Sequence, residues 1–186
     1  MTRSFTTHAI ARALITLCGA FALATGAQAA GDKAAHDQAK ASAKATYDTA
    51  KKQCDSQSGN AKDICQAEAK AARKKTEATA DAEYKGTAKA KYDAASDIAK
   101  ADYDVAKEKC DDKAGNDKDV CVKEAKAARD KTIADAKAER DVKKARNEAV
   151  TDKNKADYKV ANEKCDALAG DAKKACTDQA KAQTKQ

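Results

Sequence analysis

The chain has no proline and no tryptophan, and aromatic residues make up only 4% of its 186 residues. Both phenylalanines, Phe5 and Phe21, lie before residue 29. Beyond that point Leu, Ile, Val and Phe together number ten: Leu168, three Ile and six Val. Ten large aliphatic side chains and five tyrosines cannot fill a core at the density of a protein interior, so an ordinary globular domain is excluded. Without proline, the strongest helix breaker is missing as well. One histidine, His36, follows residue 29, serine is scarce, and there is no glycine-rich phosphate loop. No nucleophile and base can be paired from such a set. The sequence therefore offers no catalytic, cofactor-binding or metal-ligating residue, and it reads as a non-enzyme. His36 itself lies in a polar segment and reads as solvated.

What the chain does have is charge and alanine. Charged residues are 36% of the total, with a net charge of +7. The apolar share of 42% is carried mainly by Ala, which favours helix while burying little surface. Lys is interleaved with Asp and Glu, the pattern of a solvated helix face. The excess of Lys also permits weak binding to polyanions.

Residues 1–29 differ from the rest. Arg3 and Arg12 come without any acid, an apolar run occupies residues 13–24, and Ala27-Gln28-Ala29 supplies a small-residue site. This is the three-part pattern of a secretory signal peptide, with cleavage expected after Ala29. The run is too short for a membrane anchor, and no second one follows it. Cys18 falls inside the run and leaves with it. The mature chain is thus expected to be periplasmic or secreted, with a charge of +5 and no transmembrane segment.

Self-comparison organises the remainder. Residues 47–76 and 103–132 are identical at 19 of 30 positions, and a third unit occupies residues 158–185. All three share the skeleton Y-x6-C-x4-G-x5-C. The spacing is 56 residues from Cys54 to Cys110 and 55 from Cys110 to Cys165. Residues 30–46 form a polar lead-in that starts the first helix, and residues 47–186 form the repeat region.

Around each glycine, Tyr, Ala and Cys recur at spacings of three and four, the seam pattern of packed helices. Gly59, Gly115 and Gly170 read as turns, each with Asn60, Asn116 or Asp171 as the cap of the next helix. Lys174 replaces the acid that Asp63 and Asp119 place after the cap, so the third turn has the least support in the sequence. Two cysteines 11 residues apart on one helix would be about 16 Å apart, beyond disulfide reach. A reversal at glycine brings them together.

Export, an even cysteine count and a poor core favour the pairs Cys54–Cys65, Cys110–Cys121 and Cys165–Cys176. The rivals are pairing between chains along a continuous helix, and metal or redox chemistry. The latter ordinarily uses C-x2-C spacings, which do not occur here. The tyrosines read as packing over the Ala groove rather than as base-stacking platforms.

The segments AEAKAARKKTEATADAE and KEAKAARDKTIADAKAERD resemble the Ala/Lys-rich helical stalk of TolA-type cell-envelope proteins over roughly residues 66–160. That family also carries a membrane anchor and a globular C-terminal domain, which these segments do not resemble. The Tyr-Cys-Gly-Cys units are similar to exported Ala/Lys-rich bacterial proteins. An exported, all-α chain of this kind is expected to act as a spacer, scaffold or adaptor in the bacterial cell envelope, with an envelope protein or polymer as partner and self-association through Ala-rich helices.

The fold expected is all-α: elongated antiparallel hairpins with disulfide-stapled turns, two at one end and one at the other. Gly86 lies within the second helix and Val142 stands one period later. A break at Gly86 would give a shorter, more compact bundle; the expectation favoured is one unbroken helix from Gly59 to Gly115 and a second from Gly115 to Gly170, with two shorter helices folded against this long pair.

Overall fold

The computed structural model of the chain describes residues 31–185. Residues 1–29, with Cys18 and the cleavage expected after Ala29, lie outside them. Five helices and no strands occur among the described residues: α1 (Lys33–Cys54), α2 (Gly59–Lys85), α3 (Ala88–Cys110), α4 (Gly115–Cys165) and α5 (Gly170–Thr184). Each helix packs on its neighbours in sequence and on no other, which makes a zigzag of antiparallel helices. None is long and apolar enough to cross a membrane.

The buried residues show why the array is one helix thick. Nearly all are alanines, such as Ala71, Ala94 and Ala101, and the largest side chains wholly removed from solvent among the described residues are Cys54, Cys110 and Cys165. Alanine lets helices approach closely but gains little from burial, so the disulfides are the firmest points of contact. Cys54–Cys65, Cys110–Cys121 and Cys165–Cys176 are bonded, with Cα atoms 5.6, 5.7 and 5.6 Å apart.

Three corrections follow. The first concerns Gly86, which ends α2 in the left-handed region at φ 62°, its N–H bonding to the Ala82 carbonyl. Thr87 then caps α3, its side chain accepting from the Ala90 N–H at 3.0 Å. A glycine able to take positive φ followed at once by a hydroxyl cap is a complete stop and restart signal. The expected continuous helix is thus two antiparallel helices, and α1 packs on α2 alone. Val142 is not the counterpart of Gly86 either. Residues 59–85 match residues 115–141 at an offset of 56, and residues 87–110 match residues 142–165 at an offset of 55. The residue lost between the two registers is Gly86 itself, and α4 accordingly runs on for 51 residues, about 76 Å.

The second correction concerns the stapled turns. Each preceding helix ends at its cysteine, and Gly59, Gly115 and Gly170 open the following helix with φ of 56°, 54° and 58°. The residues before them, Ser58, Ala114 and Ala169, are extended and occupy the cap position, so Asn60, Asn116 and Asp171 do not. Asn60 instead donates to the Glu108 carbonyl at 3.1 Å and to Asp112 at 2.6 Å, clipping the start of α2 to the end of α3. The third turn is as regular as the others despite Lys174. Asp166 pairs with Lys173 at 2.9 Å, as Asp55 pairs with Lys62 and Asp111 with Lys118, both at 3.0 Å.

The third correction is His36. It lies on α1 against α2, with its side chain only 15% exposed, rather than free in solvent.

Candidate functional site

No described cluster of His, Cys, Asp and Glu has the makings of a metal site. What the fold builds is a set of stapled helix ends and one long bare helix. Gly59 and Gly115 lie at one end of the zigzag with their disulfides, Gly86 lies at the other, and α4 continues past it to the third stapled turn at Gly170. Ala88 at the head of α3 reaches α4 near Arg140 and Lys144. Coming from the far end, α5 returns as far as Asp157, where Gln183 lies. Between them residues 142–153 are all exposed. A groove lined by Lys144, Asn147, Thr151 and Lys155 runs along this bare stretch, about 760 Å³ in volume. Residues 142–155 contain five basic side chains (Lys143, Lys144, Arg146, Lys153, Lys155) and two acidic ones (Glu148, Asp152), so the bare helix is locally cationic.

The hairpins carry a second recurring contact. Arg73 lies over the ring of Tyr47 at 5.6 Å, and Arg129 lies over Tyr103 at 4.6 Å, one period later. These cation–π stacks hold each tyrosine over its partner helix, so the tyrosines are packing elements rather than free aromatic platforms. Near the open end His36 stacks on Tyr84 with ring centroids 4.9 Å apart. Their counterparts 56 residues on, Tyr92 and Arg140, stack in the same place at 4.5 Å.

His36 bridges two carboxylates: Nε2 lies 2.6 Å from Asp81 and Nδ1 lies 3.0 Å from Asp37, while Lys40 also reaches Asp81 at 3.1 Å. The protonated ring donates to both, which raises its pKa above the ordinary 6.5, chiefly through Asp81 and against the opposing charge of Lys40. The same hydrogen bond holds Asp81 below the usual carboxylate range. The raised histidine stabilises α1 on α2 fully below pH 6.5 and loses that contribution as pH rises through its folded value. The lowered aspartate contributes above its ordinary value near 3.8 and fades as pH falls through its folded one. Attachment of α1 is thus strongest between about pH 4 and 6.5. A nuclear magnetic resonance titration of His36 is expected to give a pKa above 6.5 that returns toward 6.5 in Asp81→Asn; an unshifted His36 in the unaltered protein would contradict the bridge.

Sequence reasoning brought the six cysteines and three glycines together at the turns. It weighed a break at Gly86 and favoured an unbroken helix, and it did not find the Asn60 clip, the arginine–tyrosine stacks or the His36 bridge. The readable signals were the drop in period from 56 to 55 and the coincidence of Arg73 and Arg129 with Tyr47 and Tyr103 at a fixed offset of 26. Compared with known protein families, curated proteins and solved structures, the chain finds no match.

Proposed function

We propose that this is an exported, non-enzymatic spacer, scaffold or adaptor of the bacterial periplasm or cell envelope, delivered there by the leader that ends at Ala29. The observation that carries the reading is α4, which holds a two-stapled end and a one-stapled end about 76 Å apart across a stretch with no helix beside it. Over this stretch no helix of the same chain packs on α4, and its use is to hold the two ends apart. The resemblance to the stalk of TolA-type proteins supports the same reading.

A spacer holds what binds at one end to what binds at the other. Oxidised protein carrying a protease site inside residues 142–153 is expected to capture envelope components at both ends together. After cleavage each half should keep its own set. Capture of nothing from the envelope, or loss of every partner on cleavage, would count against the proposal.

The cationic stretch around Lys143, Lys144 and Arg146 favours a second reading, in which the helix grips a polyanion such as lipopolysaccharide, a cell-wall polymer or nucleic acid. Under the spacer reading, binding to heparin is weak and largely lost between about 50 and 200 mM salt, as phosphate-type contacts are. Tight binding at the higher salt would favour the polyanion reading instead.

A further inference from the structure

Among the described helices, the α2·α3 interface is the only one that no disulfide joins. Its register is set by three ion pairs: Lys109–Glu68 at 2.7 Å, Lys74–Asp104 at 4.0 Å, and Lys75–Asp102. On the faces bearing these pairs, Ala71 and Ala82 of α2 and Ala90, Ala94 and Ala101 of α3 are buried. Both surfaces recur in α4. Residues 115–141 match α2 at 17 of 27 positions, and residues 142–165 match residues 87–110 at 13 of 24. In α4, however, the Gly86 turn is absent and the two surfaces lie end to end on one straight helix. Ala127 and Ala138, the counterparts of Ala71 and Ala82, face solvent, as do Ala145, Ala149 and Ala156, the counterparts of Ala90, Ala94 and Ala101. The side of α4 that packs on α3, through Cys121, Arg129 and Arg140, is another one.

We infer that a second copy of this chain covers this side of α4, forming an antiparallel two-fold dimer that makes the α2·α3 interface twice between chains. Charge carries the inference beyond the stripe of small residues. Carried into α4, Lys75–Asp102 becomes Lys131 facing Asp157, and Glu68–Lys109 becomes Glu124 facing Lys164, with the same signs. Lys74–Asp104 becomes Asp130 facing Lys159, with both signs reversed and complementarity kept. Within its own chain Asp130 pairs with the neighbouring Arg129 at 2.6 Å, while Lys159 makes no ion pair among the described residues; a meeting of Asp130 with Lys159 across two copies accounts for the reversal of both signs together.

Within a single copy they cannot meet, since Asp130 and Lys159 are about 44 Å apart along α4. Glu124, Lys131, Asp157, Lys159 and Lys164 make no ion pair within the chain among the described residues. The register centres the two-fold axis near residue 144. There Val142, 55% exposed in the single chain, comes against the other copy where the first repeat has its turn. The inference goes beyond the spacer reading and does not depend on it.

Sedimentation equilibrium of the oxidised protein at low salt is the test. A dimer is expected, with Asp130→Lys or Lys159→Asp alone weakening it about tenfold or more and the double variant restoring affinity. Ala138→Glu with Ala149→Glu should give monomers of unchanged helicity, which separates loss of the interface from loss of the fold. A monomer at high micromolar concentration would overturn the inference. So would single charge reversals without effect, a double variant that stays weak, or a monomer in which the two halves of α4 fold back on each other.

Discussion

Reduction of the three disulfides is expected to release α5 first and to lower the stability of the array by several kcal/mol. Each bond closes a short loop, worth roughly 2 to 3 kcal/mol by chain-entropy arguments. What else holds each helix differs along the chain. α5 has 15 residues, packs on α4 alone, and buries only Ala180 and Thr184; an isolated helix of that length is marginal in water. α1 is also held by one disulfide, but it adds the His36 bridge, the Tyr47–Arg73 stack and a hydrogen bond from the Gly31 N–H to the Tyr84 carbonyl at 3.0 Å. α3 is gripped from both sides by α2 and α4. Region-resolved hydrogen exchange on Cys165→Ser with Cys176→Ser should therefore show protection lost in α5 and kept in α1 to α3. Undiminished protection of α5 in that variant would mean that packing, not the staple, holds it.

The second large effect is one of shape. Deleting Gly86 and changing Thr87→Val writes the α4 junction into the first repeat, and it should fuse α2 and α3 into one helix of about 76 Å. Total helicity should barely change, because α1 stays stapled to α2 and α4 to α3. The maximum dimension from small-angle scattering should rise sharply. The milder Gly86→Ala is expected to cost only about 1 to 2 kcal/mol, as an L residue at positive φ does, since an added Cβ meets nothing within 4 Å. A deletion variant that keeps the scattering profile of the unaltered protein would show that the ion pairs of α2 and α3, rather than the glycine, reverse the chain.

The stapled hairpins were legible because cysteine chemistry is local. Eleven residues, a central glycine and a Cα separation limit leave one geometry that joins Cys54 to Cys65. Gly86 was not legible by the same means. A lone glycine inside a helix costs only about 1 kcal/mol relative to alanine, so propensity cannot tell a tolerated glycine from a terminus. The decision rests on Thr87 capping the Ala90 N–H, and on a register shift hidden when Gly86 is matched to Val142. His36 was misread for another reason: Asp81 lies 45 residues away and becomes its neighbour only after the chain turns at Gly59. The Tyr-x25-Arg spacing of the stacks was visible in two of the units. It acquires meaning only once the hairpin places α1 on α2 and α3 on α4.

The central claim is that nearly the same sequence reverses in the first repeat and runs straight in the second. It is tested most directly by two distances between equivalent labelled positions. Lys70 and Lys100 flank the Gly86 turn, and their counterparts Lys126 and Lys155 lie 29 residues apart on α4; all four are exposed. Pulsed electron spin resonance on singly prepared pairs, diluted with unlabelled protein, should place Lys70 and Lys100 within about 20 Å, as neighbouring antiparallel helices require. It should place Lys126 and Lys155 about 44 Å apart, as a continuous helix requires. Two short distances would mean that α4 folds back as α2 and α3 do, and the long bare helix on which the spacer reading rests would not exist.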